Sequence, residues 1–151
     1  MTHIITTSQA GIDLIKQHES FRQQAYLCPA GYWTIGYGAT YYENGERVRK
    51  GDVISQAQAQ KLLQFHLRTF EKEVDNATRD DLTQHQFDAL VSFCFNVGPA
   101  NFKNSTLLRK VNANPTDPSI AAEFAKWTKG GGRVLPGLVK RRSDESKLYF
   151  Q

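Results

Sequence analysis

The stretch Glu19-Ser-Phe-Arg-Gln-Gln-Ala-Tyr-Leu-Cys28-Pro-Ala-Gly-Tyr-Trp-Thr34-Ile-Gly-Tyr-Gly38 decides how the rest of the chain is read. Eight residues separate Glu19 from Cys28 and five separate Cys28 from Thr34. This spacing sets a carboxyl at a helix end, a thiol on a turn before Pro29 and a hydroxyl in a Gly-rich hairpin. Three reactive groups on three local structures can converge on one cleft.

Upstream, Ser8 is placed to cap a first helix running to about Glu19. Ile12 and Ile15 stand at i and i+3, and Glu19 continues their face at i+7, so its carboxyl points with the isoleucines. Downstream, residues 24–50 read as a small β region. Tyr32, Trp33, Thr34, Ile35, Tyr37, Tyr41 and Tyr42 favour strands, and Asn44-Gly45 is a hairpin turn. Ser55 with Gln58 forms a capping box and opens a long helix to about Asn76, with Leu62, Leu63, Phe65, Leu67 and Phe70 as its apolar positions. Thr83 with Gln86 forms a second box, for a helix through Phe87, Leu90, Val91 and Cys94 that ends at Gly98-Pro99. A shorter helix begins near Ser105 or Thr106. Asp117-Pro118 reads as a cap with proline at the first helical position, leading to Ile120, Phe124 and Trp127. Gly130-Gly131-Gly132 breaks the chain, and Pro136 opens a last helix through Leu138, Arg141, Arg142, Glu145 and Leu148. The pattern is α+β and mainly helical.

The 151 residues suit one compact domain, with 40% hydrophobic and 23% charged residues as in ordinary globular proteins. A net charge of +4 is too weak to indicate nucleic acid but compatible with an anionic partner such as a cell envelope. Two cysteines, Cys28 and Cys94, make no disulfide framework and read as free thiols, Cys94 in the core. His3, His18, His66 and His85 have no metal-binding spacing. The N-terminus lacks the pattern of a signal peptide, and no run approaches a membrane span.

Read as chemistry, Glu19 is either an ordinary helix-end glutamate or the acid of a glycosidase, which must protonate a leaving oxygen. Cys28 can assist such a reaction only as a thiolate. Asn96 is either a helix-ending residue before Gly98 or a hydrogen-bonding group for a sugar. Arg141 is on the face of Leu138, Glu145 and Leu148. It either pairs with Glu145 at i+4 or reaches Glu19.

The spacing of Glu19, Cys28 and Thr34 and the ending Thr34-Ile-Gly-Tyr-Gly38 resemble the phage-type lysozymes, the endolysins or muramidases of glycoside hydrolase family 24. The stretches from Asn96 to Thr106 and from Trp127 to Arg142 resemble further parts of the same family. Where the family more often has Asp, this chain has Cys28, a known alternative there. The resemblance implies a single lysozyme-like domain over residues 1–151 with a two-lobed fold: a β lobe at about 20–54, a long connecting helix, and a helical lobe at about 77–151 joined by the N-terminal helix. It implies hydrolysis of the β-1,4 bond between N-acetylmuramic acid and N-acetylglucosamine, leading to host cell lysis. Glu19 would act as acid, Cys28 and Thr34 would manage water or the cationic intermediate, and Asn96, Tyr37 and Arg141 would touch substrate. No metal or cofactor is implied. The implied partners are the peptidoglycan glycan strand, an anionic envelope surface and a holin for release. The implied protein is a monomer, made in the host cytoplasm and acting on the periplasmic wall once the membrane is permeabilised. A chitinase-like glycosidase, a lytic transglycosylase and a non-catalytic wall-binding module are the competing readings.

Overall fold

The computed structural model describes residues 3–151. Among the described residues, seven helices and two two-stranded sheets form two compact units. One is continuous, Ile15–Arg68, and the other combines residues 3–14 with Thr69–Gln151. The division falls inside α1 (Gln9–Glu19) and inside α2 (Gln56–Ala77).

In the continuous unit, β1 (Arg22–Leu27) pairs antiparallel with β2 (Trp33–Gly36), Tyr26 opposite Thr34 and Leu27 opposite Trp33. Ile35, Val48 and Leu62 make its core, with Ala25, Trp33, Ala39, Tyr42 and Ile54 packed around them. The Asn44-Gly45 turn is present: Gly45, at φ 87°, donates its N–H to the Tyr42 carbonyl. Its flanks, however, form a single bridge between Tyr41 and Arg47 rather than the expected strands. The backbone bonds from Tyr42 N–H to the Glu46 carbonyl and from Val48 N–H to the Thr40 carbonyl hold this loop, and the Tyr42 hydroxyl, 2.6 Å from Asp52 Oδ2, adds a side-chain tie. At the start of α2, the Ser55–Gln58 capping box forms with both bonds in place, at 2.8 and 3.1 Å.

In the other unit, α3 (Gln84–Val97) carries the second capping box at Thr83 and Gln86. It buries Phe87, Leu90, Val91, Phe93 and Cys94. Phe93 meets Phe102, Phe124 and Trp127 edge-on, with ring centroids 5.6–6.3 Å apart, the arrangement aromatic quadrupoles favour. The polar segment after Gly98 contains a helix that its composition hides, α4 (Pro99–Lys103), because Pro99 sits at a first-turn position where its missing N–H costs nothing. Ser105 caps α5 (Thr106–Ala113) by accepting the Leu108 N–H at 3.1 Å. Asp117 does not open the next helix. Its carboxylate accepts the Ser119 N–H in a local turn, and α6 (Ile120–Ala125) starts beyond Pro118. The glycine run is a hairpin rather than a break: β3 (Lys129–Gly130) pairs with β4 (Arg133–Val134) across Gly131 and Gly132, whose φ values of 59° and 81° suit a primed turn. Then α7 (Pro136–Tyr149) follows from Pro136 as expected.

Ser8 precedes α1, but its N–H and hydroxyl both go to the Asp88 carboxylate on α3. Gly11 makes this approach possible. A Cβ there would lie 2.6 Å from Thr7 Cγ2 and 2.8 Å from both Cβ and Cγ of the fully buried Asp88. Glycine to alanine in a helix ordinarily stabilises by about 1 kcal/mol. At this position Gly11→Ala is expected to destabilise by roughly 1–3 kcal/mol, measured by urea unfolding. A stabilised variant would show that the contact relaxes.

Candidate active site

Glu19 is the last residue of α1 and is half-buried. Ser20 follows at φ 55°, a left-handed conformation that ends the helix and turns the chain into β1. The Glu19 carboxylate lies beside Gly38, since a Cβ at Gly38 would be 3.7 Å from Glu19 Oε2. Gly38 itself is at φ 95°. The Ile35–Ala39 bridge, with reciprocal 2.9 Å hydrogen bonds, fixes the tight loop that carries it.

Cys28 opens the turn between β1 and β2. Its N–H donates to the Tyr32 carbonyl and its carbonyl accepts the Gly31 N–H, each at 2.9 Å. Pro29 restricts φ and Gly31 supplies φ 89°, so the chain can curl its N–H groups toward the side chain at position 28. The thiol consequently sits below its ordinary value. The Tyr32 N–H is the largest cause, opposed by partial burial and helped by the Thr34 hydroxyl and the N–H groups of Ala30 and Gly31. Thr34 is buried on β2, and its hydroxyl lies 3.0 Å from the Tyr32 carbonyl. A hydroxyl has one proton, so donation to this carbonyl and donation to Cys28 are alternatives. The Tyr32 N–H is therefore the steadier support of a thiolate. One hairpin thus brings Cys28 and Thr34 together, and the loop that follows it meets Glu19.

The three substrate-side candidates are placed differently. Tyr37 is 5% exposed, with its ring centroid 5.6 Å from that of Phe21 and its hydroxyl 3.5 Å from Gln56 Nε2, so it supports the loop from inside. Asn96 is exposed on the last turn of α3, and its Oδ1 accepts from Arg142 Nη2 at 2.7 Å. The helix cap is Gly98, not Asn96. Arg141 is buried and donates to Glu145 Oε2 at 3.3 Å, the i+4 pair. Sequence reasoning missed Arg142, which is 1% exposed and belongs to the same buried network. Its signal was an arginine three residues before Glu145 on a helix with little other apolar face. Among the described residues, His3, Asp75 and Asp80 are the one group with ligand atoms close enough for a metal. They are exposed or half-exposed, with His3 Nε2 at 2.6 and 3.1 Å from the carboxylates of Asp75 and Asp80.

The phage lysozyme profile matches residues 16–145. The chain belongs to the phage lysozyme family. It is 48% identical to the endolysin of Bacillus phage B103 over 145 residues, covering 95% of this chain and 53% of that protein. The chain therefore spans about half the length of that relative. Among solved structures, the muramidase domain of SpmX from Asticaccaulis excentricus is 40% identical, with a TM-score of 0.84 and 99% of each chain covered. A P22 lysozyme mutant is 32% identical, with a TM-score of 0.89 and 98% and 100% covered. The α+β, mainly helical architecture is the one these structures share.

The two thiols, neither in a disulfide, differ in reactivity. Burial first, and then the Glu73 carboxylate, push Cys94 up to about 12, and it is fully buried. Iodoacetamide at neutral pH is expected to label Cys28 and spare Cys94 until the protein is denatured, as read by peptide mass spectrometry. Equal labelling of the native protein would contradict this placement.

Proposed function

We propose that the chain is a muramidase of the endolysin type, which hydrolyses the β-1,4 bond between N-acetylmuramic acid and N-acetylglucosamine in peptidoglycan and so lyses the host cell. The observation that carries this is the family match across residues 16–145, which contain Cys28 and Thr34 on one hairpin and Glu19 beside the loop that follows it. The family match does not favour the chitinase-like, transglycosylase or non-catalytic readings.

In this reading Glu19 gives its proton to the glycosidic oxygen as the C1–O bond breaks. The Thr34 hydroxyl, with its proton on the Tyr32 carbonyl, accepts a hydrogen bond from the incoming water. The Cys28 thiolate takes that water's second proton as its oxygen bonds C1. Each turnover leaves Cys28 protonated and Glu19 ionised, and proton return through solvent resets both. Tyr37 acts from behind the loop, Arg141 acts from within its buried network, and Asn96 acts on the glycan side. No helix among the described residues is long and apolar enough to cross a membrane. Synthesis in the host cytoplasm, release to the wall through a holin, action as a monomer and attraction of the basic protein to an anionic envelope complete the proposal.

Glu19→Gln is expected to lose on the order of 10²–10⁴ in clearing of outer-membrane-permeabilised Gram-negative cells, with an unchanged unfolding temperature. Full activity in that variant would remove Glu19 from the mechanism. The thiol makes a separate prediction. Activity should rise with pH as Cys28 loses its proton, on a limb below the ordinary thiol range. Cys28→Asp should remain active and move that limb down by several pH units, toward the carboxyl value of about 3.9. A limb unmoved by Cys28→Asp would mean that another group sets it.

A further inference from the structure

Asn96 is exposed, yet its partner is one of the most deeply buried charges of its unit. Arg142 is 1% exposed, and Glu145 beneath it is 0% exposed. The Glu145 carboxylate accepts from the Ser92 hydroxyl at 2.5 Å and from Arg141 Nε at 3.3 Å. Arg142 Nε lies 2.8 Å from Glu145 Oε1, but its N–H does not point along that line, so the contact is an ion pair and not a hydrogen bond. The guanidinium also lies over the Phe93 ring, 5.1 Å from its centroid. Arg142 is thus gripped on several sides before it meets Asn96.

A guanidinium has donors and no acceptor. The atom of the Asn96 amide that faces Arg142 must therefore be the oxygen, and the 2.7 Å contact is to Oδ1. The amide cannot flip without setting NH₂ against guanidinium N–H. Its Nδ2 group, which has no hydrogen bond among the described residues, is left with two donors at an exposed position.

We infer that Arg142 is a positioning residue that locks the Asn96 amide with Nδ2 outward, as a donor for the acetamido carbonyl oxygen of the glycan. This inference rests on the muramidase reading. An acetamido carbonyl is an acceptor only, so it matches a group that offers donors only. Sugar hydroxyls, which donate and accept, would pair with either end of an amide and would not need the lock. The lock therefore presents donors alone, the complement of an acetamido carbonyl.

The test is Asn96→Asp. This variant keeps an oxygen for Arg142 and deletes both donors. Its unfolding temperature should equal or exceed that of the wild type, because the Arg142 contact becomes charge-assisted. Its KM for peptidoglycan and its Kd for triacetylchitotriose should rise about tenfold, the scale of one lost hydrogen bond, while kcat changes less than about twofold. Binding of the deacetylated glucosamine trimer should not change. Arg142→Lys, which keeps a donor facing Oδ1, should retain the wild-type KM even where it lowers the unfolding temperature. Arg142→Met should raise KM in the wild type and add nothing in Asn96→Asp. If Arg142→Met does not fold, Asn96→Asp decides alone. Wild-type affinity for triacetylchitotriose in Asn96→Asp would overturn the inference and leave the muramidase reading intact. A wild type that binds triacetylchitotriose through Asn96 but cuts no peptidoglycan would overturn the muramidase reading and leave the donor assignment. A wild type that does not bind the trimer overturns the inference.

Discussion

The Glu145 carboxylate has no water to turn to, and the packing of α7 on α3 answers to that fact. Burial pushes this carboxyl up, against the pull of Arg142 and Arg141. Ser92 on α3 supplies a hydroxyl from the facing helix. Breaking such a buried set by removing one partner costs about 3–5 kcal/mol, since the others stay behind unpaired. The rotation that α7 adopts about its axis brings all four groups together and sends Leu148 and Tyr149 into the core. The Tyr149 hydroxyl then reaches the Pro115 carbonyl at 2.7 Å. The ionic and the apolar groups of α7 thus agree on one register.

The hairpin obeys a different rule. Its chemistry rests on backbone rather than on side-chain networks. The turn from Cys28 to Tyr32 points N–H groups at whatever atom position 28 carries, and such a ring suits any anion, sulfur or oxygen. The loop can therefore support a thiolate or a carboxylate at this position, because it supplies the stabilisation and not the side chain. Ser20 makes the matching contribution at the other end. A non-glycine residue at φ 55° carries strain on the order of 1 kcal/mol, and it holds Glu19 at the helix terminus beside Gly38.

Much of this was legible in the sequence, for local reasons. The two capping boxes, the long helix from Gln56 and the proline at the head of α7 are signals written within four residues, and local signals survive folding. The Asn44-Gly45 turn was legible, but its flanks pair through a single bridge and a few backbone bonds and do not extend into strands. The hairpin at Gly131-Gly132 hid behind a glycine run that reads equally as a break. Ser8 looked like a cap until Asp88, eighty residues away, took its hydroxyl. Arg142 was hidden by periodicity: it adjoins Arg141, and two neighbouring arginines suggest one facing in and one facing out. Both are buried, since the core they enter is ionic where they enter it.

The side chains of the segment before α1 are tied to distant partners. Thr6 accepts from Gln84, Thr7 gives its N–H and hydroxyl to Glu71, and Ser8 binds Asp88, at sequence separations of 64 to 80 residues. Closing loops of such length costs more chain entropy than closing the shorter ones within Ile15–Arg68. These ties are therefore expected to form after the helices they join, and residues 6–8 then act as a clasp across parts of the chain that local signals cannot hold together.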